Sequence, residues 1–177
     1  MKVTLKDFDK FVKNKLPKYF LHDYLNYKII SESDLQSIVW NYISAFIKEN
    51  HEKISDFKVL NKPYLKELKI HPDIIVFRKN KPWVIMELKE SKKLKPKSAK
   101  KERERLLEVK HHFGKSVKRG YLLFVTRYGE EKILRGPKGR GARFFFEVPI
   151  SLEAHFPDNM EIKTWESDFK SWAKYSK

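Results

Sequence analysis

The chain has 177 residues, of which 41% are hydrophobic and 14% aromatic. This length and apolar content predict one domain with a packed core and exclude a chain that is disordered throughout. The absence of cysteine excludes a disulfide framework, a thiolate zinc site and a cysteine nucleophile. No apolar run is long enough to span a bilayer and the first residues lack the core of a signal peptide, so we expect a soluble, cytoplasmic protein without a membrane partner.

The charge of the chain is strongly positive, with 39 Lys and Arg against 23 Asp and Glu and a net charge of +16. Residues 89–119 contain 13 basic and four acidic side chains, so this stretch carries +9 of the total. Clustered positive charge favours nucleic acid as a partner. The alternative is a solvated helix face in a lysine-rich chain.

The first elements in chain order are predicted to be helices. Apolar residues recur at helical spacing from Thr4 to Asn14, and Leu16-Pro17 is expected to end that helix. Residues 19–30 fit either a second helix or an irregular connection. Ser31 has the character of an N-cap for a helix that runs to about Asn50. The apolar stripe of this helix consists of Leu35, Ile38, Val39, Tyr42, Ile43 and Phe46.

Three strands are predicted next, at residues 57–60, 72–77 and 83–88, with a hairpin turn over residues 78–82. A highly charged helix over residues 97–113, which Gly114 or Gly120 ends, leads to a buried strand at residues 121–125. A basic glycine-rich loop, a strand and a closing helix are expected at residues 136–143, 143–150 and 165–175.

These elements predict a single α/β domain over residues 1–177. Its core, at about residues 31–126, has the order helix, three-strand antiparallel meander, helix and fourth strand. An N-terminal helical extension occupies residues 1–30. A basic loop, a strand and a helix occupy residues 127–177.

Two charged residues interrupt the apolar pattern of the third strand. Glu87 and Lys89 project from the same face, while the apolar residues between and before them pack on the other. Burying such charges is costly unless they are paired or bind a metal ion. Asp73 begins the neighbouring antiparallel strand and is expected beside Glu87, because the hairpin closes over residues 78–82. A structural alternative is a buried ion pair between Glu87 and Lys89 or Asp73.

A hard divalent cation suits this arrangement. Mg²⁺ prefers oxygen ligands and is commonly held by one or two carboxylates together with phosphate oxygens. Asp73 and Glu87 are the candidate ligands, with the main-chain carbonyl of Leu88 as a third, and Mn²⁺ can take the place of Mg²⁺. Lys89 is expected to orient the attacking water or to stabilise the transition state. The predicted reaction is the hydrolysis of a phosphodiester.

The motif, Pro72-Asp73, thirteen residues, then Glu87-Leu88-Lys89, resembles that of the PD-(D/E)XK nuclease superfamily. The restriction-endonuclease-like core of that family is similar to the order predicted for residues 31–126. The resemblance implies catalytic roles for Asp73, Glu87 and Lys89 and a further acidic residue on the helix before the meander.

Glu32 is the candidate for that further acidic residue, as a catalytic residue and metal ligand, because it lies about 50° from the centre of the apolar stripe. Asp34 is predicted to point to solvent. The alternative role of Glu32 is a favourable interaction with the helix dipole. Gln36, one turn further on, either touches the site or lies at the boundary of the core.

Nucleic-acid contacts are expected from the basic residues after the third strand and in the glycine-rich loop. These residues are Lys92, Lys93, Lys95, Lys97, Lys100, Lys101, Lys138, Arg140 and Arg143. Contacts of this kind hold the phosphate backbone without reading its sequence. We therefore expect a Mg²⁺-dependent deoxyribonuclease that prefers DNA to RNA, cuts as an endonuclease rather than an exonuclease, and can form a homodimer. The alternative is a catalytically inactive nucleic-acid-binding module of the same fold, a subunit of a recombination or defence complex.

Overall fold

A five-stranded sheet forms the centre of this mixed α/β fold. The computed structural model describes residues 2–26, 31–51, 53–91, 96–126 and 143–151. The strands in these ranges are β1 (Phe57–Asn61), β2 (Ile74–Arg78), β3 (Lys81–Ser91), β4 (Arg119–Thr126) and β5 (Phe145–Ser151). They lie side by side in chain order. The first three form an antiparallel meander, and β4 and β5 then add in parallel to β3 and β4.

Helices cover both faces of the sheet. They are α1 (Leu5–Lys10), α2 (Leu16–Leu25), α3 (Glu32–Asn50) and α4 (Pro96–Phe113). Alternate side chains of β2 point to opposite faces of the sheet. Ile74 and Val76 pack with residues of the first three helices, whereas Ile75 packs beneath α4. In the described part of the chain, no helix is long and apolar enough to cross a membrane.

The first helix does not end at Leu16-Pro17, and that prediction was wrong. A π-helical segment, Phe11–Lys15, joins α1 to α2, and Pro17 lies in the first turn of α2. A proline is tolerated in a first turn because its missing N–H has no partner there. The buried stripe continues across the junction at four-residue spacing, through Phe8, Val12, Leu16 and Phe20. Residues 19–25 are therefore helical, whereas residues 27–30 lie outside the described ranges.

The helix predicted after Ser31 is confirmed as α3. Ser31 is its N-cap and forms a capping box with Asp34, in which the two residues exchange hydrogen bonds between side chain and main chain. This contact satisfies N–H groups that the first turn of a helix leaves without partners. The capping role explains why Asp34 points away from the core.

The hairpin and the second long helix also form where the sequence predicted them. The turn between β2 and β3 is tighter than expected, because only Lys79 and Asn80 separate the paired residues Arg78 and Lys81. Both turn residues have a positive φ, as a two-residue type I′ turn requires. Gly114, with φ of 59°, follows the last residue of α4. The loop at 136–142 and the helix at 165–175 lie outside the described residues.

Candidate functional site

Asp73 lies at the open end of the β2–β3 hairpin, one residue before β2 begins. Ile74 pairs with Met86, so Asp73 comes opposite Glu87. The Asp73 carboxylate is buried and accepts hydrogen bonds from the main-chain N–H of Leu88 (2.7 Å) and from Nε2 of Gln36 (2.6 Å). These two donors hold the carboxylate in one orientation.

The main chain of Leu88 contributes to this edge of β3 in a second way. The N–H of Leu88 points towards Asp73, beyond the last pair of residues in the β2–β3 ladder. The N–H and C=O of one strand residue point towards the same neighbouring strand. The Leu88 carbonyl therefore faces the same side as the Asp73 carboxylate, as a third oxygen ligand requires.

Glu87 is almost completely buried, with 1% of its surface exposed. Its Oε2 accepts a hydrogen bond from Nη1 of Arg105 on α4 at 2.7 Å. Burial, and after it the charge of Asp73, raises the pKa of Glu87 well above its usual range. Burial also raises the pKa of Asp73, while hydrogen bonds from Leu88 and Glu87 lower it. Burial of both groups therefore favours their neutral forms over their charged forms.

Lys89 forms an ion pair with Glu32 in the first turn of α3. The Nζ of Lys89 lies 2.7 Å from Oε2 of Glu32, and the two side chains are 33% and 39% exposed. The hydrogen bond with Glu32 is the largest effect that raises the pKa of Lys89. Because Glu87 pairs with Arg105 and Lys89 with Glu32, the alternative of a Glu87–Lys89 ion pair is wrong.

Three buried side-chain oxygens near the two carboxylates lack a hydrogen-bond donor among the described residues. They are Oε1 of Gln36, Oε1 of Glu87 and Oε2 of Glu102. The Glu102 oxygen lies 3.2 Å from Nη1 of Arg105, close enough for an ion pair but without the geometry of a hydrogen bond. Buried acceptors without donors are costly, and oxygen is the ligand that Mg²⁺ and Mn²⁺ prefer. This donor set fits a hard cation.

The described residues contain no group of three or more His, Cys, Asp or Glu side chains that could hold a metal ion. Glu32 is engaged by Lys89, so the carboxylates that come together are those of Asp73 and Glu87. Two carboxylates are enough for Mg²⁺, which usually keeps several water ligands and completes its coordination with substrate phosphate.

The residues expected to bind nucleic acid fall in different places. Lys100 and Lys101 are exposed in the first half of α4, and Lys100 forms an ion pair with Glu104 at 3.7 Å. Arg143 is exposed two residues before β5. Because β3, β4 and β5 are parallel, Arg143 lies towards the end of the sheet opposite to Asp73. The side chain of Lys97 and all of Lys92, Lys93, Lys95, Lys138 and Arg140 lie outside the described parts.

Two residues of the site, Arg105 and Glu102, are not predicted by the sequence, which indicates only a highly charged helix there. Gln36, for which two roles stayed open, contacts Asp73. A signal for Gln36 is its position one turn after Glu32, and a signal for the other two is their spacing of three, which places them on one face of α4. Their contacts with Asp73 and Glu87 depend on how the helices pack on the sheet.

No family model, no curated protein and no solved structure matches this chain. The motif and the geometry of these side chains are therefore the features that bear on function.

Proposed function

We propose that the chain is a metal-dependent nuclease with a restriction-endonuclease-like fold, of the PD-(D/E)XK superfamily, and that it hydrolyses phosphodiester bonds of DNA. The observation that carries the proposal is the buried pair of Asp73 and Glu87 at the open end of the hairpin. The order of α3, the three-strand meander, α4 and β4 supports it. The net charge of +16 favours nucleic acid as the substrate.

Each residue of the site has a separate task in this proposal. Asp73, Glu87 and the Leu88 carbonyl hold Mg²⁺ or Mn²⁺, which when bound neutralises charge on the phosphate and lowers the pKa of a water molecule. Gln36 and the Leu88 N–H orient the Asp73 carboxylate. Glu32 holds the ammonium group of Lys89, which orients the water or stabilises charge that develops on the phosphate.

A cleavage assay with labelled single-stranded DNA, duplex DNA and RNA tests this function. We expect cleavage of DNA with Mg²⁺ or Mn²⁺ and none with EDTA, and we expect Asp73→Asn to abolish it. Glu104→Gln is the matched control, because it removes an exposed carboxylate of α4. Cleavage of circular DNA identifies an endonuclease. Cleavage that persists in EDTA or in Asp73→Asn contradicts the proposal.

The second candidate is a catalytically inactive nucleic-acid-binding module of the same fold. One contact favours it: the Arg105 guanidinium already offsets the charge of Glu87. Titration with Mn²⁺, followed by calorimetry, separates the two candidates. The nuclease binds Mn²⁺ through a site that Asp73→Asn removes, whereas the inactive module binds nucleic acid equally well with and without the cation.

A further inference from the structure

A basic pocket lies at the turn end of the β2–β3 hairpin, away from the carboxylate site at Asp73. A concave pocket of about 620 Å³ opens there, and its charged lining is entirely basic. The basic residues that line it are Lys2, Arg78, Lys79 and Lys118. None of these four side chains forms an ion pair with a residue in the described part of the chain.

Arg78 is held in place by two aromatic rings rather than by a carboxylate. Its guanidinium carbon lies 5.4 Å from the ring centroid of Phe57 and 5.5 Å from that of Trp83. The β2–β3 register shifts between Val76 and Phe77, so Trp83 has no paired residue on β2. Such a bulge redirects a side chain. A guanidinium oriented by stacking keeps its donors for an anion and loses little further freedom on binding one.

The main chain also fixes the two lysines beside Arg78. The N–H of Lys79 donates to the carbonyl of Asp56, and the N–H of Lys118 donates to the carbonyl of Trp83, both at 2.7 Å. Both side chains are exposed. Arg143 lies two residues before β5, towards the same end of the sheet. The hairpin end therefore presents several cations on a rigid edge.

This pocket is separate from the cleavage site. Asp73 and Arg78 are five residues apart along an extended strand, a distance of about 17 Å at about 3.3 Å per residue. A phosphate bound at Asp73 therefore cannot contact Arg78.

We propose that the pocket at the hairpin end binds phosphate groups of a nucleic-acid backbone, at a second site that is distinct from the carboxylates. The four cations and the volume of the pocket suit successive phosphates better than one small anion. The proposal rests on the proposed function, because that function identifies the bound polyanion as a nucleic acid. It implies that the substrate contacts the protein at both ends of the sheet.

Binding of a fluorescent DNA duplex in EDTA, measured by anisotropy over a range of salt concentrations, tests the proposal. The variant is Lys79→Asn combined with Lys118→Gln, because asparagine tolerates the φ of 50° at position 79. The loss of two phosphate contacts is expected to reduce the salt slope by about 2 and the affinity by about 10- to 100-fold at about 0.1 M salt. Arg78→Gln is expected to weaken binding further, and Arg78→Lys to restore only part of it.

The matched control is Lys13→Gln combined with Lys18→Gln, which removes two exposed charges from the N-terminal helices. Equal losses in the two double variants, or an unchanged salt slope in the hairpin variant, overturn the proposal. The double variant leaves Arg78 and its rings intact, so the test does not depend on the folding of Arg78→Gln. The anisotropy assay contains no divalent cation and does not depend on cleavage, and metal-dependent cleavage is measured separately, so the two proposals fail independently.

Discussion

Glu87→Gln is expected to stabilise the metal-free protein and to remove its response to a divalent cation. The wild-type carboxyl group is buried, and its Oε1 has no donor among the described residues. A glutamine of nearly the same volume keeps an oxygen that can accept the hydrogen bond from Arg105. Its amide can donate to Asp73 and stays neutral at every pH, so the cost of burying two carboxyl groups side by side is removed.

The size of this gain depends on pH. The folded-state pKa of Glu87 is raised above the ordinary value of 4.5, so above that pH the folded protein keeps a proton that the unfolded chain releases. The contribution of Glu87 to stability is therefore greatest below about pH 4.5 and falls as the pH rises, by up to about 1.4 kcal/mol per unit. At pH 8, an unsatisfied buried acceptor costs about 1–3 kcal/mol, which corresponds to about 2–12 °C in Tm for a chain of this size.

Thermal unfolding in EDTA at pH 5 and pH 8, and then with Mn²⁺, measures both effects. The Tm advantage of Glu87→Gln is expected to widen between the two pH values. At about 100 times its Kd, the cation is expected to stabilise the wild type by about 2.7 kcal/mol and the variant by much less. Glu104→Gln is again the control. A lower Tm for Glu87→Gln at pH 8 in EDTA, or equal stabilisation of both proteins by Mn²⁺, refutes the reasoning.

Three further variants test other contacts. Gln36→Leu removes a donor to Asp73, and we expect about 10- to 100-fold lower cleavage with the fold retained by circular dichroism; wild-type activity contradicts this. Lys89→Gln breaks a partly exposed ion pair with Glu32, so the free energy of unfolding should change by less than about 1 kcal/mol. Cleavage should fall about 100-fold or more, and a large loss of stability together with the loss of cleavage would indicate a structural role. Gly114→Ala places a Cβ at φ of 59°, which should lower Tm by about 2–4 °C in a thermal melt and leave cleavage unchanged; an unaltered Tm contradicts the assigned helix end.

The parts of the fold that depend on local pattern were predictable. The capping residue Ser31 and the apolar stripe after it predicted α3, and two apolar runs on either side of a turn predicted the strands of the hairpin. The prediction that failed, the end of the first helix at Pro17, treated proline as a local stop. The buried stripe runs through Leu16 and Phe20 into α2, and its packing overrides that signal because the first turn tolerates proline.

The candidate site also has a part that was predictable from the sequence and a part that was not. Asp73 and Glu87 were predictable as neighbours, because a hairpin with a short turn brings residues at this spacing together. The pairs formed by Lys89 with Glu32, by Gln36 with Asp73 and by Arg105 with Glu87 join separate elements, 57, 37 and 18 residues apart. Sequence spacing cannot rank such partners in a chain with 39 basic residues.

The sequence by itself determined the order of α3, the meander, α4 and β4, and it placed two carboxylates at one end of a hairpin, because helical and strand periodicity are local properties. Only the tertiary structure decided which side chains pair with those carboxylates. The packing of α3 over one face brought Gln36 to Asp73, and the packing of α4 over the other brought Arg105 to Glu87. Burial between these layers makes each charge costly without a partner, and the helices that pack on the two faces supply those partners.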